Sequence, residues 1–345
     1  MGESPSLHAC LGEAARSDRH GAAVVAVIEA LSRAAGDLAQ IIAAGPLADV
    51  TGKASGINPD GDHQRDIDVL ADRLMRQSLR TVPVAAVFSE EAELPEDFDA
   101  EGSLCVAIDP LDGSANLENN ISVGTIFSIR PRGRDSVSTF FEPGTVQCAA
   151  GFFIYGPQTV FVLAIDGRVD FFVLDPARRE FILTRRGVRI PPDTAEFAIN
   201  ASNRRHWSSA VRAYIDDCLA GVNGERGRDF NMRWIGSLVA EAYRILVRGG
   251  VFLYPADSRQ SYREGRLRLI YEAHPIALIM EWAGGGASNG RGRILELSAR
   301  ALHQRVPLIM GAAAAVRDID LIQQGVEPLF ESGDAPLFAR RGLFR

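Results

Sequence analysis

The chain has 345 residues, 46% hydrophobic and 23% charged, which suits one large globular domain or two of ordinary size and excludes a disordered, collagen-like or coiled-coil chain. Its 37 basic and 44 acidic residues leave a net charge of −7, so no basic surplus exists to bind nucleic acid through counterion release, and an anionic substrate needs local arginines or bound cations. The first predicted helix covers residues 23–44, where Val24, Val27, Ile28, Leu31, Leu38 and Ile42 recur near a 3.6-residue period. A Gly/Pro/Asp-rich loop is expected over 45–61, and a second helix over 66–79 with Ile67, Leu70, Leu74 and Met75 on one face. Two short apolar strands follow, 84–88 and 104–108. Each ends in an acidic cluster: Glu90-Glu91 after the first, Asp109-Pro110-Leu111-Asp112-Gly113-Ser114 after the second.

From 120 to 189 the pattern is β-rich, with strands predicted over 122–130, 149–155, 159–165, 169–174 and 181–184, and a surface loop over 132–147. Residues 143–165 carry no charge, but Gly156-Pro157 is turn chemistry, so the stretch reads as two buried strands and not as a membrane span. Pro191-Pro192-Asp193 marks the expected boundary between an N-terminal half, 1–192, and a C-terminal half, 193–345. The second half alternates: strand 197–199, helices 208–219 and 236–247, strands 251–254 and 267–271, helix 274–283 ended by a glycine run, and a last core strand 308–311. An irregular tail is expected from about 324. The four cysteines lie far apart with no C-x-x-C spacing, which argues for reduced thiols in a cytoplasmic protein rather than a zinc ribbon or a disulfide framework. The N-terminus has no basic segment leading into an apolar core, and Glu3 and Glu13 argue against a transit peptide.

The chemistry concentrates at Asp109-Pro110-Leu111-Asp112-Gly113-Ser114. A strand delivers Asp109 to its carboxyl end, Pro-Leu turns the chain so that Asp112 can face the same point, and Gly113 lets backbone N–H groups approach an anion. Two carboxylate charges about 4 Å apart repel by roughly 4 kcal/mol at an effective dielectric near 20, and a hard divalent cation removes that penalty. A turn bearing two solvated aspartates is the alternative. Glu90-Glu91, Asp62 and Asp68 around the start of the second helix, and Glu272 at the end of strand 267–271 add acidic groups where active sites of open sheets gather. Asp66 and the acidic run 93–101 read as solvated surface.

With these residues in this order the chain resembles class I fructose-1,6-bisphosphatases, within the inositol-monophosphatase-like sugar phosphatases. The resemblance spans about 20–320 and rests on Gly61-Asp62 with Asp68, Ser89-Glu90-Glu91, Asp109 to Asn116, the segment 122–127, Leu174-Asp175-Pro176, Gly236-Ser237, the segment 249–256 around Tyr254, the segment 267–272, and His303-Gln304-Arg305. It implies an α+β fold, a layered α–β–α–β–α sandwich of two halves with the active site between them. It implies Mg²⁺ or Mn²⁺ held by Glu90, Glu91, Asp109, Asp112, Glu272 and the Leu111 carbonyl. Asp62, Asp68 and Glu91 would be the catalytic carboxylates, Asp68 and Glu91 activating water. Asp112, Gly113 and Ser114 would meet the 1-phosphate, and Asn200, Arg233, Tyr254 and Arg266 the sugar and its second phosphate.

The reaction implied is hydrolysis of fructose 1,6-bisphosphate at C1, in gluconeogenesis or the Calvin cycle, by a cytoplasmic homotetramer in which Arg233 reaches a neighbour's site. No nucleic-acid or membrane partner is expected. Rival readings are preference for sedoheptulose 1,7-bisphosphate, an inositol-monophosphatase-like activity, and an inactive regulatory relative. Arg266 stands where the family usually has lysine, Trp234 where it has tyrosine, and Asn203 where another tyrosine is common. Residues 17–22 lack the family's Thr-Gly-Glu, so AMP is expected to inhibit weakly. Trp207, Trp282, Tyr271 and the turn at His303 read as packing or structural residues.

Overall fold

The computed structural model describes residues 4–14, 21–48, 54–57, 63–193 and 195–325. The chain opens with α1 (Leu7–Ala14) and the long α2 (Gly21–Ala44), followed by the short strands β1 (Ala54–Ile57) and β2 (His63–Arg65) and by α3 (Asp66–Leu79). Ile67, Ala71, Met75 and Leu79 repeat every four residues on α3, and all four are buried against α2 and the adjacent sheet. Asp62 and the segment 17–20, part of the expected AMP loop, lie outside the described residues.

The sheet beneath these helices contains β3 (Val84–Ser89), β4 (Glu96–Asp97), β5 (Leu104–Asp112), β6 (Val123–Pro131), β7 (Ala149–Tyr155), β8 (Thr159–Ile165), β9 (Arg168–Asp175) and β10 (Glu180–Arg185). Among the described residues its order is β10-β9-β8-β7-β6-β5-β3-β4, antiparallel throughout except for the parallel pair β3 and β5. Its central strands are buried on both faces. Val87, Val106, Ile108, Phe127 and Phe153 face the core under α2 and α3, while Phe88, Ala107, Ile126 and Phe152 face a second core on the other side. That is why these strands read as continuous apolar runs.

The second core is shared with α6 (Leu238–Arg248) and α7 (His274–Trp282), which pack between the large sheet and a smaller one. The smaller sheet has the order β12-β11-β13-β17-β15, made of β11 (Glu196–Ala198), β12 (Asn231–Met232), β13 (Val251–Tyr254), β15 (Gly285–Ser288) and β17 (Leu308–Ala312). β14 (Leu267–Arg268) and β16 (Arg305–Val306) form a separate pair. α5 (Ser209–Ala220) and α8 (Ala313–Gln323) cover the outer side. The stack is the expected α–β–α–β–α sandwich. No helix among the described residues is long and apolar enough to cross a membrane, and 149–165 forms the strands β7 and β8.

Three expectations fail locally. Segment 132–147 is not a plain surface loop: it holds α4 (Ser136–Phe141), opened by a capping box between Asp135 and Ser138, and Phe140 is fully buried. The predicted strand 267–271 stops at Arg268, and Leu269–Ala273 forms a π-helical turn leading into α7. Helix α7 does end at the glycine run as expected, and Gly285–Ser288 then pairs as β15, where a Cβ on Gly285 would lie 2.4 Å from the Gly311 carbonyl oxygen. The loop expected over 45–61 includes a 3₁₀ turn (Gly45–Ala48) and β1. Helices α1 and α8 went unread, since α1 is short and α8 opens on an alanine run without a polar cap.

Candidate active site

Because β3 and β5 run parallel with Ser89 opposite Ile108, the two acidic clusters leave the sheet side by side. Glu90 follows directly, its N–H donating to the Ile108 carbonyl at 3.0 Å. Pairing of β5 with β6 slips by a residue between Asp109 and Asp112. In that bulge the Leu111 N–H donates to Asp109 Oδ1 at 3.0 Å, and the Thr125 hydroxyl donates to the Pro110 carbonyl at 2.8 Å. Asp109 and Asp112 thereby point into the same space. Glu272 arrives from the π turn, its carboxylate accepting the Arg268 N–H.

Oxygens of Asp109, Asp112 and Glu272 all lie within 4.8 Å of one another, and all three residues are buried. Burial, followed by the charges of Glu90, Asp112 and Glu272, holds the Asp109 carboxyl well above the usual range. Burial and then Glu91 push Glu90 up to about 8, against the pull of Arg268. Glu272 is raised by burial and by Glu90, and Asp112 to about 6 by burial. Glu90 and Asp109 each act on the other's carboxyl. A buried all-oxygen set that is this reluctant to ionise together matches what a hard divalent cation requires.

The N-terminus of α6 faces the same point. Ser237 caps it through its hydroxyl, and the Val239 N–H donates to Asp112 Oδ2 at 3.2 Å. The close approach depends on Gly124, where an added Cβ would lie 2.2 Å from the Phe153 carbonyl oxygen and 2.7 Å from Val239. Gly113 is left-handed at φ 74°, and after it Ser114–Asn119 forms a 3₁₀ turn. Asn116 ties that turn to the Gly236 carbonyl at 2.9 Å.

Supports missed in the sequence surround Glu90 and Glu91. The Ser89 hydroxyl donates to Asp72 at 2.6 Å and accepts the Glu91 N–H at 3.3 Å. His303, read only as a structural turn, bonds the Tyr271 hydroxyl at 2.9 Å and the Ala92 carbonyl at 3.0 Å. Asp72 lies one helical turn after Asp68, a spacing that could have flagged it. Glu91 is half-buried and outside the carboxylate trio, and Asp68 is buried at the start of α3.

Asn200, Tyr254 and Arg266 line one pocket at the carboxyl end of the smaller sheet, together with Asn203 and Trp207. The Arg266 guanidinium sits 5.7 Å from the centre of the Tyr254 ring. Asn200 Oδ1 accepts from the Ser202 N–H and hydroxyl. Trp234 stacks on Phe252 and meets Tyr254 edge-on. Arg233 does not line this pocket. Its side chain is half-exposed, 3.6 Å from Glu196, which also binds Arg244 and Arg248.

Two family models match, "Fructose-1-6-bisphosphatase, N-terminal domain" over residues 8–186 and "Fructose-1-6-bisphosphatase, C-terminal domain" over 190–324. A fructose-1,6-bisphosphatase class 1 of Bradyrhizobium sp. strain BTAi1 is 68% identical over 345 residues, covering 100% of this chain and 98% of the relative. Another from Bradyrhizobium sp. strain ORS 278 is 70% identical over 320 residues, 93% of this chain and 90% of the relative. The crystal structure of Leishmania major fructose-1,6-bisphosphatase in holo form superposes with a TM-score of 0.86 at 32% identity, covering 94% of this chain and 100% of that one. The chain belongs to the class 1 fructose-1,6-bisphosphatase family.

Proposed function

We propose that the chain hydrolyses the 1-phosphate of fructose 1,6-bisphosphate to fructose 6-phosphate and phosphate, with Mg²⁺ or Mn²⁺ as cofactor. The observation that carries this reading is the buried trio Asp109, Asp112 and Glu272, set beside the Gly113 turn in a chain similar to these phosphatases over its full length. Glu90, Glu91, Asp109, Asp112, Glu272 and the Leu111 carbonyl would hold the metal, with Asp62 and Asp68 beside it. The bound ion supplies charge neutralisation at the phosphoryl group and a more acidic water. The protein's own part is positioning. Backbone N–H groups at Gly113 and Ser114, with the α6 N-terminus behind Asp112, receive the 1-phosphate. Asp68 and Glu91 orient the attacking water and take its proton. The water oxygen bonds phosphorus as the bond to the C1 oxygen breaks, and the C1 oxygen takes up a proton, so that the sugar leaves as an alcohol.

Asn200, Tyr254 and Arg266 hold the sugar and the phosphate that is not cleaved, and Arg233 serves the site of a neighbouring subunit in a homotetramer. The half formed by 1–192 carries the metal site except for Glu272, which the half formed by 193–345 supplies together with the sugar pocket. All four cysteines are free, which fits the reducing cytoplasm that we assign to it in carbohydrate metabolism. The test is phosphate release from fructose 1,6-bisphosphate with Mg²⁺, with Mn²⁺ and with a chelator. Release of one phosphate per sugar that needs the cation supports the reading, and release unaffected by chelation would refute it.

A further inference from the structure

The pocket lined by Asn200, Tyr254 and Arg266 contains a second cation. Arg259 lines it too, with Asp257 and Tyr262. The Arg259 guanidinium lies 4.2 Å from the centre of the Tyr262 ring, and the Arg266 guanidinium lies 4.7 Å from the same ring. One aromatic side chain therefore carries both arginines. Arg259 Nε donates to both carboxylate oxygens of Asp257, at 3.1 and 3.0 Å, and the Arg259 N–H donates to the same carboxylate at 2.9 Å.

The turn that presents Arg259 is fixed by its own hydrogen bonds. The Asp257 N–H donates to the Tyr262 carbonyl, the Tyr262 N–H to that of Arg259, and the Gly265 N–H to that of Tyr262. Gly265 closes it at φ 85°, where an added Cβ would come within 2.2 Å of the Val306 backbone. The Ser258 N–H is tied to the His206 carbonyl at 3.0 Å. Arg259 is thus not a loose surface side chain. It is held at the pocket by a buried carboxylate and an aromatic face, with about a third of its side chain exposed.

Charge decides what such a pocket accepts. A phosphate monoester carries about −1.5 to −2 at neutral pH. Arg266 alone leaves that charge partly uncompensated, and because Arg259 with Asp257 carries no net charge, Arg259 adds directed N–H donors close to the ligand rather than net charge. A guanidinium has five N–H donors in a planar fork, enough to keep Asp257 and still reach a phosphate oxygen. We propose that Arg259 is a specificity residue for the second phosphate of the substrate, held ready by Asp257 and stacked with Arg266 on Tyr262, so that two guanidinium groups receive that phosphate. The inference rests on the reading that this pocket takes the phosphate that is not cleaved.

The experiment compares Arg259→Gln, Arg259→Lys and Arg266→Gln with the unmodified enzyme. Two quantities are read: the ratio of kcat/KM for fructose 1,6-bisphosphate to that for fructose 1-phosphate, and the affinity for fructose 6-phosphate by calorimetry. Losing a charge-assisted hydrogen bond corresponds to about ten- to hundredfold. R259Q is expected to lower the ratio by at least about tenfold, mostly through KM, and to weaken fructose 6-phosphate by a similar factor, with R259K intermediate. If R266Q lowers both quantities while R259Q leaves them within about twofold, the role of Arg259 is overturned and the pocket reading stands. If neither variant moves them, the pocket reading itself fails. Equal loss on both substrates in R259Q and R259K would mean general damage and would also overturn the inference.

Discussion

Asp112 stands where folding and function conflict. It is buried among like charges, held by N–H groups at the start of α6, and its carboxyl is pushed up to about 6. Asp112→Asn keeps the acceptor oxygen for Val239 and removes the charge. We expect turnover to fall by about a hundredfold or more, as when a preorganised charge-stabilising group is lost. The Tm of the metal-free protein should instead rise, by about 2 °C or more. Thermal melts with chelator and with Mg²⁺ check this, and a variant that melts lower without metal would contradict it. The same burial, with Glu91 beside Glu90, sets a pH dependence. Glu90 and Asp112 ionise at higher pH in the folded chain than in the unfolded one. Their contribution to stability is therefore complete at low pH and is lost as pH rises through about 6 and then about 8. In chelator the Tm should fall between pH 5 and 8.5, and the gain from Mg²⁺ should grow over that window. A chelated Tm that is flat with pH would count against the cluster. These carboxylates were legible in the sequence because each stands at the end of an apolar strand, Glu90 beside Glu91 and Asp112 beside Gly113. Asp72 was legible only through its spacing of one helical turn from Asp68; His303 and Arg259 were not, since their roles come from contacts that no spacing records.

Among the elements, the sequence was most readable where burial imposes a period. The central strands follow their apolar patterns closely, while on α3 Ile67 and Met75 are buried as expected and Leu70 and Leu74 are half-buried. It was least readable where a tertiary contact overrides local chemistry. Segment 132–147 looks polar, with Gly133, Pro143 and Gly144, yet α4 inserts Phe140 beside Phe88 with ring centres 5.5 Å apart. Phe140→Ala should cost about 3–5 kcal/mol, the usual range for deleting a buried phenyl ring. Urea unfolding measures this, and a cost below about 1 kcal/mol would restore the surface-loop reading. The π turn at Leu269–Ala273 was unreadable for a different reason. Apart from Glu272 its residues are apolar, and all five are buried, as a strand's would be, so only the bond from Arg268 to Glu272 and the entry into α7 reveal a helical path. That path turns Glu272 toward Asp109 and Asp112. At Gly124, the same strand that pairs with β5 lets α6 come close enough to aim its N-terminus at Asp112.

At the scale of the whole molecule, the layered stack brings two sites together from opposite halves of the chain. The large sheet supplies the carboxylates through β3 and β5, the smaller sheet supplies Tyr254 through β13, and α6 with the π turn joins the two. The order of layers followed from the resemblance. Arg233 does not line the pocket that holds Asn200, Tyr254 and Arg266, and its proposed role in a neighbour's site calls for a direct test. Arg233→Ala mixed with Asp112→Asn should then form hybrid oligomers that regain part of the activity, because each hybrid pairs an intact carboxylate cluster with an intact arginine. Absence of recovery in oligomers shown to be mixed would contradict the sharing. The most direct test of the whole account is the position of cleavage. In a ³¹P NMR time course of fructose 1,6-bisphosphate with enzyme and Mg²⁺, the C1 phosphate resonance should decay as inorganic phosphate appears, while the C6 resonance persists as fructose 6-phosphate; loss of the C6 resonance, or no change in either, would contradict it.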